Sequence, residues 1–476
     1  MRYGQVIIGH WAVDGGSMFH WRWPYYRAGL LADVGARASA DANAHAQADA
    51  GAADGEAARH FPIAPPSLLG LARASFVEWR YFSVLSQAFH GIVGLALVNP
   101  DRRFARIAEG GLLLIVAGVI DRRPLPRTAA AGAEADAGSR AGAHADTGTD
   151  AGTGPPFADD VAELCWMHLI APASCQFDQP GGSSLTTANL RAGDAHCHLE
   201  LAQADAARAE LHIEAGAGLK VHLSHVGLPD TVLPSALDAG LDGWLGRALG
   251  AHWQVQCASP VARADGELIL QPGLLSGLAH GPGGDQPSYA SAALRARLRA
   301  GDVRVAWQGA DGYAEHSFGI RPLPLQGWEF LFVPKAETGE ALVLQTYPGS
   351  QALRYLEVCW QQDGKARKHR FGAEALRLEW VEQVFDPVLG VRRPLRRRIE
   401  AEADGLRLTL ENRVLHHIAL LRRERFAVRH FFISEEIGVA DWRLSDDSGR
   451  VLAEVHGQPC GGELAHRRWR VPRCAC

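Results

Sequence analysis

The chain has 476 residues, 47% of them hydrophobic, and a formal net charge of −5 from 48 basic and 53 acidic side chains. That length exceeds one ordinary core and points to about two domains. The near balance of charge argues against a global nucleic-acid footprint, and eight scattered cysteines without a C-x-x-C pair argue against a structural zinc site or a disulfide scaffold.

The first 16 residues show no secretory pattern, so a cytoplasmic protein with reduced thiols is expected. Residues 36–58 and 128–156 are built mainly from Ala, Gly, Asp and Thr, with no aromatic or large aliphatic side chain. They read as disordered surface insertions. Strand-like runs follow at 76–86, 91–100 and 110–121. The last, GGLLLIVAGVID, falls short of the roughly 20 residues a membrane-spanning helix needs. Residues 209–226, 253–270, 328–347, 398–412 and 442–457 each join two strand-like runs around a Gly, Asp or Pro turn, which is hairpin grammar. Helical spacing marks 233–250, and QPSYASAALRARLRAG (286–301) carries start and stop signals. GLLSGLAHGPGGDQ (273–286) lacks the lysine of a phosphate loop and reads as a loop.

This pattern predicts a mainly all-β protein of antiparallel barrels or sandwiches with a few inserted helices, not a nucleotide-binding α/β sheet. The expected units are an N-terminal segment (1–65), a first β domain (66–250) and a second (251–476).

Histidines invite a metal reading. His196 and His198 flank Cys197, and His222 and His225 would point to opposite faces of a strand. No carboxylate recurs with them at ligand spacing, so surface or core histidines are expected and no metal. The arginine runs 392–398 and 422–426 have acids close by. They read as a solvated face, with an anionic membrane surface as the alternative partner.

The densest chemistry lies in GADGYAEHSFG (309–319). On an extended strand Tyr313, Glu315 and Ser317 share one face, and Ala314, His316 and Phe318 the other. A carboxyl buried among aromatics has its charged form disfavoured, so Glu315 could stay protonated and act as an acid. Spacing alone favours the plainer reading, a simple hydrogen bond between Tyr313 and Glu315 within a core or an exposed turn at Glu315.

Three blocks resemble a known family in order. EWRYFSVL (78–85), HWQVQCASPVARADGEL (252–268) and GYAEHSFGIRPLPLQGWEF (312–330) are similar to the signatures of bacterial carotenoid 1,2-hydratases (hydroxyneurosporene synthases) and their AttH-like relatives. The resemblance implies two lipocalin-like halves around an apolar cavity. It also implies acid-catalysed hydration of an isoprenoid double bond, a hydro-lyase reaction without redox cofactor or metal. It places catalysis on His252, Trp253, Tyr313 and Glu315. The expected substrate contacts are Trp79, Tyr81, Trp307, Phe318 and Trp328. A hydrophobic small molecule is then the partner, with no nucleic acid, and the inner membrane surface is where such a substrate would be met. The chain departs from the family pattern at Glu315 (in place of Asp), Ser317 (Asn) and Arg80 (Trp). A cyclase or pericyclase of a terpenoid or polyketide, and a non-catalytic carrier of hydrophobic ligands, are the other readings.

Overall fold

The computed structural model describes residues 8–10, 22–25, 76–98, 111–121, 161–171, 174–177, 189–205, 208–228, 231, 233, 236–238, 252–279, 288–320, 327–347, 354–386, 391–421 and 429–469. The expected insertions at 36–58 and 128–156 and the arginine run at 422–426 lie outside these residues.

Strands β1 (Ile8–His10) and β2 (Arg22–Tyr25) form a two-stranded sheet. The next elements are β3 (Phe76–Leu85), β4 (Phe89–Val98), β5 (Gly111–Ile120), β6 (Ala162–Ile170), β7 (Cys175–Phe177), β8 (Asn189–Gly193) and β9 (Cys197–Asp205). Then come β10 (Arg208–Ala215), β11 (Leu219–Gly227), β12 (Ala236–Asp238), β13 (His252–Leu270), β14 (Tyr289–Ala290), helix α1 (Ala292–Ala300) and β15 (Val303–Ile320). All of these strands join one sheet in the order β14-β6-β5-β4-β3-β15-β13-β11-β10-β9-β8-β7, with β12 beside β13.

A second sheet follows: β16 (Gly327–Lys335), β17 (Glu340–Thr346), β18 (Arg354–Gln362), β19 (Lys365–Phe371), β20 (Leu376–Asp386), β21 (Val391–Ala403), β22 (Leu406–Leu421), β23 (Arg429–Asp446) and β24 (Val451–Trp469). Its order is β19-β18-β17-β16-β24-β23-β22-β21-β20. The all-β expectation therefore holds, as two curled antiparallel sheets. The division between them falls after Ile320, whereas the sequence placed it at 250/251. Strands β13 and β15, beyond that boundary, pair with β11 and β3 of the first sheet.

Each sheet curls around its own apolar core, and a third core lies between them. Strand β5 shows why its run is apolar throughout. Leu112, Leu114 and Val116 face the first sheet's interior, whereas Leu113, Ile115 and Ala117 face the second sheet. A strand covered on both faces needs apolar residues at every position, and fully burying each large aliphatic side chain contributes about 1.5–3 kcal/mol. Among the described residues no helix is long and apolar enough to cross a membrane.

Hairpin turns follow the sequence closely. Asp363-Gly364 and Asp404-Gly405 both take positive φ at each residue (53° and 70°, 51° and 74°). That geometry matches the twist of the strands and favours Asp-Gly. Helix α1 ends at the expected Gly301 but starts later than the Pro287-Ser288 signal: Tyr289–Ala290 form β14, and Ser291 is the cap, its Oγ accepting from Leu294 N at 3.3 Å.

Three expectations need correction. Residues 253–270 form no hairpin but one long strand, paired on both edges. The apparent turn at Asp265 is the partner of a bulge. Gln308 and Gly309 on β15 oppose Asp265 alone, and Asp265 Oδ1 accepts from Gly309 N at 2.6 Å. The helical period at 233–250 gives strand β12 at Ala236–Asp238, and 239–250 lies outside the described residues. The arginine run 392–398 is not simply a solvated face. Arg393 and Arg397 are buried, the latter fully. Arg397 donates to Glu329 Oε1, to Glu436 Oε1 at 2.8 Å and to Asn412 Oδ1 at 3.0 Å. Burial alone would lower its pKa, but Glu436 and Glu329 outweigh burial and hold it above the ordinary arginine value.

Candidate functional site

The bulge at Gln308–Gly309 decides which side chains of β15 meet the second sheet. Before it, Val303, Val305 and Trp307 face the first sheet's own core. After it, Ala310 and Ala314 take that side, and Tyr313 turns to the core between the sheets. Trp307 therefore does not share a space with Tyr313. It stacks on Phe89 at 5.3 Å within the first sheet. Straight alternation from Trp307 to Tyr313 would put both on one face; the extra residue reverses it.

Beyond the bulge the expected faces are observed. Tyr313 is fully buried and its hydroxyl donates to Glu315 Oε2 at 2.9 Å. Ser317 Oγ donates to Glu315 Oε1. His316 points the other way, where its Nε2 lies 2.8 Å from Glu78 Oε1. His252 and Trp253 lie on β13 in register with Ile320 and Gly319. Their side chains and that of Phe318 are outside the described residues.

Strand β3 aims Tyr81 at the same inter-sheet core, with Trp79 packed against it. The Tyr81 ring meets Tyr313 edge-on at 6.1 Å, and Tyr313 stacks on Phe332 at 4.5 Å. Phe330 closes on both tyrosines, at 6.5 Å and 5.4 Å. Trp328 stacks on Tyr347 at 5.9 Å.

The second sheet brings two carboxyl groups that the sequence reading did not single out. Tyr81 Oη donates to Glu435 Oε2 at 2.7 Å. Glu435 stands directly opposite Glu463 in the β23–β24 pair. Like charges at such a cross-strand position are destabilising. Trp328 Nε1 donates to Glu463 Oε2 at 3.0 Å. Glu435 is 3% exposed, and its Oε1 is buried without a hydrogen-bond partner among the described residues. Burial foremost, then the charge of Glu463, raises its pKa well above the usual carboxylate range, against the opposing Tyr81 bond. The Tyr81 phenol is likewise pushed up, by burial first and by Glu435 next.

A signal for Glu435 was present in FFISEEIGVADW. It sits two residues from Ile433 and Ile437, and all three face the inter-sheet core. An acid in the apolar phase of an alternating strand is a candidate for burial. Glu463, in GGELAH, carried no comparable signal.

Glycine keeps the aromatic wall closed. A Cβ at Gly461 would overlap the Phe332 ring, which already stacks on Tyr313. Gly461→Ala is expected to destabilise the protein by about 1–3 kcal/mol, as overpacking does. Urea unfolding reads this as a lower midpoint at unchanged slope.

No family model and no curated protein matches this chain. Among solved structures it is similar to CghA crystallised with Sch210972, at 12% identity and TM-score 0.45, covering 82% of this chain and 88% of that one. A crystal structure titled CghA alone gives 13% identity and TM-score 0.40, over 82% and 88%. A protein described as a putative AttH from Nitrosomonas europaea gives 8% identity and TM-score 0.43, over 81% and 91%. The all-β architecture of this chain rests on its own strand pairing.

Proposed function

We propose that the protein is a hydro-lyase that protonates a carbon–carbon double bond of a hydrophobic isoprenoid and lets water capture the cation. The observation that supports this most directly is Glu435, a buried acid among aromatic rings whose pKa is raised by burial and whose Oε1 has no hydrogen-bond partner among the described residues. Two carboxyl groups in different surroundings suit two different tasks. Glu435 has a single hydroxyl donor on one oxygen, whereas Glu315 receives a hydroxyl on each oxygen.

In this reading the Glu435 proton moves to an alkene carbon as the π pair forms the new C–H bond. The adjacent carbon becomes a tertiary cation, which the faces of Tyr313, Phe330 and Phe332 attract. Water adds to the cation, and its surplus proton passes to Glu315. Return of that proton to Glu435 completes the cycle, so the net change is addition of one water. Tyr81 and Tyr313 position the two carboxyl groups, and the side chains of His252 and Trp253 belong to the proposal through the motif resemblance.

The apolar lining of the inter-sheet core favours a second reading. Where no water is positioned, a neighbouring double bond or hydroxyl of the substrate quenches the same cation, and the product is a ring. Incubation of an acyclic isoprenoid in heavy-oxygen water separates the two. Label in a tertiary alcohol supports hydration, and an unlabelled cyclic isomer supports cyclisation. Recovery of every candidate substrate unchanged but bound would overturn both in favour of a carrier.

A further inference from the structure

The outer face of the first sheet carries a second chemical site, on strands that contribute nothing to the inter-sheet acids. Strand β10 alternates strictly between exposed and buried residues, so Glu210, His212 and Glu214 face outward while Leu211 and Ile213 enter the core. Pairing with β11 sets His212 opposite His222 and Glu210 opposite Ser224. The same rung continues to Glu200 on β9 and Glu267 on β13. Four neighbouring strands therefore present Glu, His, His and Glu in one row.

The two imidazoles lie parallel with centroids 4.4 Å apart. Glu210 Oε2 stands 3.4 Å from His222 Nε2, while Glu210 Oε1 accepts from Ser224 Oγ at 2.5 Å. One donor atom from each of Glu210, His212 and His222 falls within 4.8 Å of the other two. Beside the two imidazoles opens a depression of about 370 Å³ lined also by His198, Glu200, Glu214, Lys220 and Glu267, but not by Glu210.

We infer that Glu210, His212 and His222 form a binding site for a divalent transition ion of zinc type, open to solvent at its remaining positions. Two imidazoles and a carboxylate are the donor set that suits such an ion. Bonds of about 2.0–2.2 Å require the three side chains to close on it slightly, which exposed rotamers on a rigid sheet permit. Ser224 fixes the Glu210 carboxylate from behind, as the outer partners of ligands do. Hydrogen-bonded pairing of β10 with β11 supplies the spacing that one strand alone could not. His222 and His225 face opposite ways, and the ligand partner of His222 comes from the neighbouring strand.

The test uses the full chain, free of tags and stripped of metal, titrated with zinc chloride by calorimetry. Cobalt(II) serves as a visible-absorption probe of the same site. One equivalent of each ion should bind. His212→Ala and His222→Ala should each weaken binding by more than about 100-fold and Ser224→Ala by about 10-fold. His196→Ala, on an exposed histidine in the turn before β9, should leave it unchanged. These side chains lie outside the cores, so circular dichroism should show the variants folded. No saturable binding at micromolar metal, or binding that survives His212→Ala combined with His222→Ala, would overturn the site. An equal loss in His196→Ala would move the ion elsewhere.

Discussion

Replacing Glu435 with glutamine is expected to lower turnover of an alkene substrate by about 10²–10⁴-fold while leaving the fold in place. Glutamine keeps the shape and can still accept from the Tyr81 hydroxyl, so the loss isolates the transferable proton. The pH dependence of the wild type follows from the direction of the Glu435 shift. Its folded pKa lies well above the unfolded value, so the active acid persists to higher pH than a free carboxyl does and is lost as pH rises through the folded pKa. The same shift makes the folded state bind more protons than the unfolded state. This contribution to stability is full below the unfolded carboxylate value and declines as pH rises towards the folded one. Glu435→Gln removes that decline, so the variant should lose activity yet resist alkaline unfolding better than wild type. Wild-type turnover in Glu435→Gln with turnover abolished in Glu315→Gln would transfer the acid role to Glu315.

The largest structural effect is expected at Arg397. Its guanidinium is fully buried inside the second sheet between Glu329, Glu436 and Asn412. Arg397→Met should cost about 3–5 kcal/mol, because it leaves buried carboxylates without their counter-charge. Equilibrium unfolding in urea reads the loss directly. Combining it with Glu436→Gln should restore part of the stability, since the second change removes one of the orphaned charges. A loss below about 1 kcal/mol, within the range of an exposed pair, would show that this network does not hold the second sheet.

Much of the architecture was legible where local chemistry and pairing agree. Asp404-Gly405 can adopt the turn that joins β21 to β22, and strict alternation in β10 fixes its two faces. The continuous apolar run of β5 marks a strand covered on both sides. The motif faces at Tyr313, Glu315 and Ser317 followed from a period of two. What failed was non-local. Asp265 looked like a turn because nothing in its own neighbourhood reveals a bulge partner 44 positions away. Trp307, expected among the substrate contacts, packs in the first sheet's core for the same reason. Arg393 and Arg397 looked solvated because Glu329 and Glu436, their buried partners, are distant in sequence. Glu463 becomes chemically notable only once β24 is set beside β23 and Trp328.

Strands β3 to β15 belong to one sheet and β16 to β24 to the other, so the chain passes between the two sheets once. Glu435 and Glu463 face each other on the second sheet, which also supplies Phe330 and Phe332, but the Tyr81 phenol, the Glu315 carboxyl and the rest of the apolar cover come from the first. Docking of the sheets is what strips water from Glu435. Burial raises the proton affinity of Glu435, so closure of the two sheets favours its protonated form over the ionised one. The reagent for the proposed chemistry is loaded by assembly itself.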